Sequence, residues 1–142
     1  MEQFSNYRLI HRQTLLENAK TICDFVGVPV IAVLKCDGYG VGIANAASVW
    51  KEAGATMFAV SMPEEALALR EAGVEEDILL LAPVANAGIL EQLLEKNIIL
   101  TISDLENACF YRENRGERIV RVHIAVDTGM GRFGFQIGRA HV

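Results

Sequence analysis

"PVIAVLKCDGYGVG", Pro29 to Gly42, joins an apolar run to a glycine-broken turn, with a lysine at the junction. Side chains alternate in an extended run, so Ile31, Val33 and Lys35 share one face and Val30, Ala32 and Leu34 the other. Both faces are apolar up to Lys35, as expected of a parallel strand buried on both sides. In parallel folds the chemistry sits at strand C-termini, so Lys35 is an amine at the mouth of an apolar layer. Desolvation there lowers a lysine's pKa and favours a nucleophilic amine able to form a Schiff base with a carbonyl. Taken alone, Lys35 also fits a lysine that snorkels from a strand end into water. Gly38, Gly40 and Gly42 permit positive φ and close approach of a ligand to the backbone. Tyr39 stands among them with a hydroxyl donor, and a helix N-terminus near Ile43 predicts an anion site. Cys36 points away from Lys35 and reads as packing, and Asp37 reads as a cap for the turn.

Outward from this stretch the pattern repeats. Short β-branched runs occupy residues 29–34, 57–60, 78–81, 98–102 and 119–126, starting about every 21 residues after the first unit. Helical segments are predicted at about 11–25, 43–52, 64–72, 89–96 and 103–113. The first carries Leu15, Ala19, Ile22 and Phe25 along one side and stops at Gly27. Ser61 with Glu64, around Pro63, predicts a capping box, and Ser103 with Glu106 predicts another. The result is an α/β chain with a parallel sheet. A doubly wound sheet and a (β/α)8 TIM-type barrel both fit, and the even spacing favours five βα units of the barrel. A whole barrel takes roughly 250 residues, so 142 residues make an incomplete one.

Composition narrows the function. The chain is 51% hydrophobic and 22% charged, enough apolar material for one core. A net charge of -5 argues against a nucleic-acid or polybasic membrane role. No apolar run approaches the ~20 residues that span a bilayer, and the N-terminus lacks the apolar core of a signal peptide. Cys23, Cys36 and Cys109 are widely spaced, which disfavours zinc and disulfide frameworks and suits a reducing cytoplasm. No metal site is expected.

A second constellation is "HIAVDTGMGRFGF", His123 to Phe135. Asp127, Thr128 and Arg132 put an acid, a hydroxyl and a guanidinium on a glycine-rich loop after the fifth run. In a barrel this loop opens on the same rim as Lys35. Arg132 can bind a carboxylate or phenolate in a planar fork; its plainer reading is a surface ion pair. His123 reads as a core or rim histidine rather than a base.

"AVLKCDGYGVG" resembles the pyridoxal-phosphate lysine motif of the alanine racemase family, "VDTGMGRFGF" resembles that family's second signature, and "FAVSMPEEALALREAG" resembles its second strand and helix. The similarity runs to about Phe135 with the motifs in order. It implies an eight-stranded barrel followed by a β-rich domain, working as a cytoplasmic homodimer that supplies D-alanine for the cell wall. It implies that Lys35 holds pyridoxal 5'-phosphate and then acts as the base on one face of the substrate. It implies that Tyr39 hydrogen-bonds the cofactor phosphate and that Arg132 lies near the phenolic oxygen and holds the substrate carboxylate. The opposite-face base is a tyrosine from the partner's C-terminal domain, and no matching segment stands in this sequence.

Three departures qualify the resemblance. Ala125 stands where many relatives carry a lysine, often carboxylated, that orients the arginine, so another anion, such as chloride or a nearby carboxylate, is expected to hold Arg132. Val41 replaces a frequent histidine, and Cys36 and Gly38 replace frequent alanines. Residues 137–142, Ile-Gly-Arg-Ala-His-Val, are what one frame of a common sequencing-adapter oligonucleotide, ATCGGAAGAGCACACGTC, encodes. Residues 1–135 are therefore expected to be the N-terminal part of the barrel and residues 136–142 a non-native tail. The leading expectation is a racemase interconverting L- and D-alanine, with this chain inactive alone. A racemase for serine or lysine, a non-catalytic pyridoxal-phosphate-binding barrel and a phosphate-binding barrel without cofactor are the alternatives.

Overall fold

The computed structural model describes residues 8–137, so residues 138–142 of the suspected tail lie outside the described residues. Helix α1 (Arg12–Val26) leads into β1 (Ile31–Val33), the short turn α2 (Lys35–Gly40) and helix α3 (Ile43–Glu52). Strands and helices then alternate: β2 (Met57–Val60), α4 (Pro63–Glu71), β3 (Asp77–Leu80), α5 (Ala87–Glu95), β4 (Leu100–Ile102), α6 (Leu105–Asn114) and β5 (Val122–Ile124). Two short strands follow, β6 (Val126–Asp127) and β7 (Phe135–Gln136).

The strands pair in parallel and in chain order. Val33 lies beside Ala59 and Ala59 beside Leu79. A bridge from Leu79 to Ile99 carries the ladder from β3 to β4, with Leu80 N–H donating to Ile99 O and Ile99 N–H to Ile78 O, both at 2.8 Å. Thr101 then lies beside His123 on β5. No strand reverses this order, so no doubly wound switch point occurs in the described chain.

The alternation of strand side chains sorts the core into two layers. Ala32, Leu34, Phe58, Val60, Ile78, Leu80 and Leu100 are buried together with Ala46, Ala66, Leu69, Leu90 and Leu93 of the helices. The opposite face carries a smaller cluster of strand residues, Ala59, Leu79 and Ile99. Helices therefore cover one face of the sheet, and that face holds most of the hydrophobic stabilisation. At the β1 edge of the other face, Ile31 and Val33 remain 44% and 38% exposed.

Helix α1 packs Leu16 and Ala19 against Val49 of α3. Its expected apolar line stops there: Ile22 and Phe25 are exposed. Gly27 ends the helix in the left-handed conformation, its N–H donating to Cys23 O. The expected fifth strand is shorter than its apolar run and breaks at Ala125, leaving Ile119 exposed.

Candidate functional site

Parallel register puts the C-terminal ends of all five main strands on one rim. Lys35 and the loop bearing Arg132 stand on it at opposite edges of the sheet. Four inter-strand steps of about 4.8 Å separate those edges by ~19 Å along the curved sheet.

Lys35 follows the last ladder bond of β1, in which Leu34 N–H donates to Ala59 O at 2.8 Å. It is half-buried. The next residues wind left-handed: Cys36, Asp37, Gly38 and Tyr39 have φ of 55°, 54°, 61° and 55°. Only one of them is glycine, and each L-residue in this region costs roughly 1–2 kcal/mol. The surroundings hold them there. Gly38 N–H donates back to Leu34 O at 2.9 Å and Gly42 N–H to Asp37 O at 3.0 Å. Gly38 is buried so close to α3 that a Cβ would come within 2.8 Å of the Ala46 Cβ. Asp37 Oδ1 accepts from the Ile43 N–H at 2.8 Å, so it caps the turn as expected. The anion site expected at the start of α3 is thereby occupied by the chain's own carboxylate. Tyr39 is 62% exposed on the rim, with no side-chain hydrogen bond among the described residues.

The second loop is organised by Asp127. Its Oδ1 accepts from Gly129 N–H at 2.9 Å and Gly131 N–H at 3.0 Å. Those bonds, Gly131 first and then Gly129, hold the carboxyl below the usual aspartate range. Phe135 N–H closes the loop on Ala125 O at 2.9 Å. Gly134, with φ 112°, lies so close to Ala125, Val126 and Asp127 that a Cβ would meet their backbone at 2.8–3.0 Å. Arg132 is exposed, its guanidinium 5.8 Å from the Phe133 ring centre. Among the described residues no carboxylate pairs with it. His123 is exposed in mid-strand rather than buried.

An open groove of about 250 Å³ runs beside this loop, lined by Ser103, Asp104, Asp127, Arg132 and Phe133. From the sequence Ser103 reads only as a helix start, and nothing there singles out Asp104. Asp104 Oδ1 accepts from Asn107 N–H at 2.7 Å and Oδ2 from Ser103 Oγ at 2.8 Å, which keep its carboxyl ionised to lower pH. A larger open cavity, about 610 Å³, lies at the other end of the sheet between Arg70, Asp77, Lys96 and Arg121. There Arg70 is occupied with the carbonyls of Val74, Glu76 and Lys96, and Arg121 with both oxygens of Asp77. Those groups clamp the strand N-termini, away from the rim.

The donor set on the rim fits pyridoxal phosphate. An amine suits its aldehyde, a phenol hydroxyl its phosphate and a guanidinium its phenolate.

A sequence model described as "Alanine racemase, N-terminal domain" matches residues 10–141. The alanine racemase of Pediococcus pentosaceus is 41% identical over 109 residues, covering 77% of this chain and 29% of that protein. That of Desulforamulus reducens is 40% identical over 131 residues, covering 89% and 35%. Among solved structures, alanine racemase from E. faecalis aligns with a TM-score of 0.81 and 36% identity over 89% of this chain and 35% of its own. A histidine racemase from Leuconostoc mesenteroides aligns at 0.80 and 30%, over 92% and 38%. The chain thus spans about a third of the length of the relatives it matches. With the family's sequence model running through both rim loops, the chain belongs to the alanine racemase family, within its N-terminal domain.

Proposed function

We propose that these residues are the first five βα units of a closed eight-stranded barrel that holds pyridoxal 5'-phosphate and interconverts L- and D-alanine. The observation that carries this reading is the placement of Lys35, a half-buried amine where β1 ends, backed by a fixed turn and sharing its rim with Arg132. The sequential parallel order, the helices on one face and the exposed apolar edge at Ile31 and Val33 support the barrel.

When bound, the cofactor supplies the electron sink that makes a substrate Cα proton acidic. Lys35 Nζ is the group that takes and returns that proton on one face. The Tyr39 hydroxyl would donate to the phosphate, and Arg132 would set its charge by the phenolic oxygen and the substrate carboxylate. Inversion needs a second proton-transfer group on the other face, which we assign to the partner subunit of a homodimer. No described helix is long and apolar enough to cross a membrane, and we place the enzyme in the cytoplasm. We read residues 136–142 as adapter-derived; different codons at 137–142 in the underlying nucleotide sequence would contradict that.

A second reading keeps the chemistry and changes the substrate: the likeness to a histidine racemase supports an amino acid other than alanine. A hybrid separates the readings. The segment from Ile10 to Phe135 replaces the matching third of the E. faecalis relative, which supplies the remaining units. Chiral chromatography then follows alanine, serine, lysine and histidine. Inversion of alanine well above the others supports the proposal, and inversion of none by a monodisperse, cofactor-loaded hybrid contradicts it. Residues Met1–Val142 alone, lacking the second base, are expected to invert nothing.

A further inference from the structure

We propose that Glu65 is the positioning residue for Lys35, an inference that rests on the reading of Lys35 as the cofactor-bearing amine. Glu65 stands at the third position of α4. Its Oε2 accepts from the N–H groups of Ser61 and Met62, both at 3.0 Å. That is half of a capping box, and it accounts for one oxygen. The other oxygen, Oε1, accepts from the Cys36 N–H at 2.6 Å, 29 positions earlier in the chain. The Cys36 N–H belongs to the peptide that follows Lys35, so this bond fixes the plane from which the lysine departs.

A helix cap alone has no use for that third bond. The Cys36 amide opens the left-handed turn, and φ of 55° at a non-glycine residue persists only where the fold over-determines it. A carboxylate is suited to the task, because its two oxygens serve two loops at once and its charge strengthens each bond. Glu65 thereby couples the first and second βα loops of the rim. Without it, the peptide after Lys35 is free to relax toward ordinary φ, and the amine swings with it. Lys35 would still be present and still nucleophilic, but its placement for proton transfer would be lost.

Two variants separate positioning from capping. Glu65→Ala removes both arms. Glu65→Ala with Met62→Asp restores a good N-cap to α4 and leaves the Cys36 N–H without its acceptor. NMR of residues Met1–Val142 reports φ at Cys36, Asp37 and Tyr39 without any cofactor. The left-handed turn is expected in the wild type and absent in both variants, while the double variant regains the thermal midpoint. In the Ile10-to-Phe135 hybrid, kcat is expected to fall roughly ten- to a hundredfold in both variants, with KM little changed. A turn that survives Glu65→Ala, or a turn and kcat that return together with stability in the double variant, would reduce Glu65 to a helix cap. Failure of the functional reading looks different: the wild-type hybrid would then carry no cofactor on Lys35, whatever Glu65 does to the turn.

Discussion

The two rim loops differ in what holds them. The Lys35 turn is tied to three other parts of the chain: to α3 through Asp37 and Gly38, to β1 through Leu34, and to the start of α4 through Glu65. The Arg132 loop is tied to itself, with Asp127 gripping Gly129 and Gly131 and Phe135 returning to Ala125. One loop presents a preorganised amine. The other presents a well-shaped backbone whose arginine stands exposed over Phe133. Preorganisation matters most for a group that moves a proton and least for a charge that can adjust to its ligand.

This contrast can be broken by substitution. The largest effect on stability is expected from Gly134→Ala, which forces a Cβ onto three backbone atoms at a φ few L-residues adopt. It should cost at least about 1–3 kcal/mol of local stability, read as loss of the Gly129 and Gly131 amide signals from their folded positions. Asp37→Ala comes next: it removes the acceptor for the Ile43 N–H and should cost about 1 kcal/mol in denaturant unfolding. Asp37→Asn keeps an acceptor and tolerates the left-handed region better, so it should be neutral or better. If Asn and Ala behave alike, the bond to Ile43 does not hold the turn.

The sequence made the strands readable because their runs are nearly continuously apolar, broken in the fifth by Arg121 and His123, and the helices because glycine or asparagine follows each one. Cap positions were legible only to within a residue. Ser61 with Glu64 looked like a box, but Pro63 begins α4, Met62 precedes it, and Glu65 is the residue whose side chain reaches back. Likewise Asp104 rather than Ser103 caps α6, a carboxylate outcompeting a hydroxyl that turns to donate to it. The left-handed turn was not legible. Its glycines suggested positive φ, yet Cys36, Asp37 and Tyr39 share it. Beside the local bonds to Leu34 and Ile43, contacts from distant residues, Glu65 and Ala46, stabilise that choice, and local propensity contains no trace of them. Exposure of Phe25 was equally hidden, since an apolar helix face does not name what it packs against.

Acid tests what organises the Arg132 loop. The Asp127 carboxyl is held below its ordinary range by the Gly131 and Gly129 amides. A depressed folded pKa means that its stabilisation is present above the unfolded value, about 3.9, and is lost as pH falls through the lower folded value. A titration by NMR should therefore show the Gly129 and Gly131 amides shifting together below about pH 4, and an Asp127 that titrates at the unfolded value would remove it as the loop's organiser. The smallest effect is expected at Arg132. Its exposed side chain makes no ion pair among the described residues, so Arg132→Ala should change stability by no more than about 0.5 kcal/mol. In the hybrid the same change should raise KM for the amino acid. A substantial loss of stability would show that the guanidinium is structural.

We propose Lys35, held by its turn, as the amine that takes the cofactor. The direct measurement is to load the Ile10-to-Phe135 hybrid with pyridoxal phosphate, reduce with borohydride and map the modified peptide by mass spectrometry. One adduct is expected within this segment, on Lys35, and none there in Lys35→Ala. An adduct spread over Lys20, Lys51 and Lys96, or one that persists in the segment after Lys35→Ala, would contradict it.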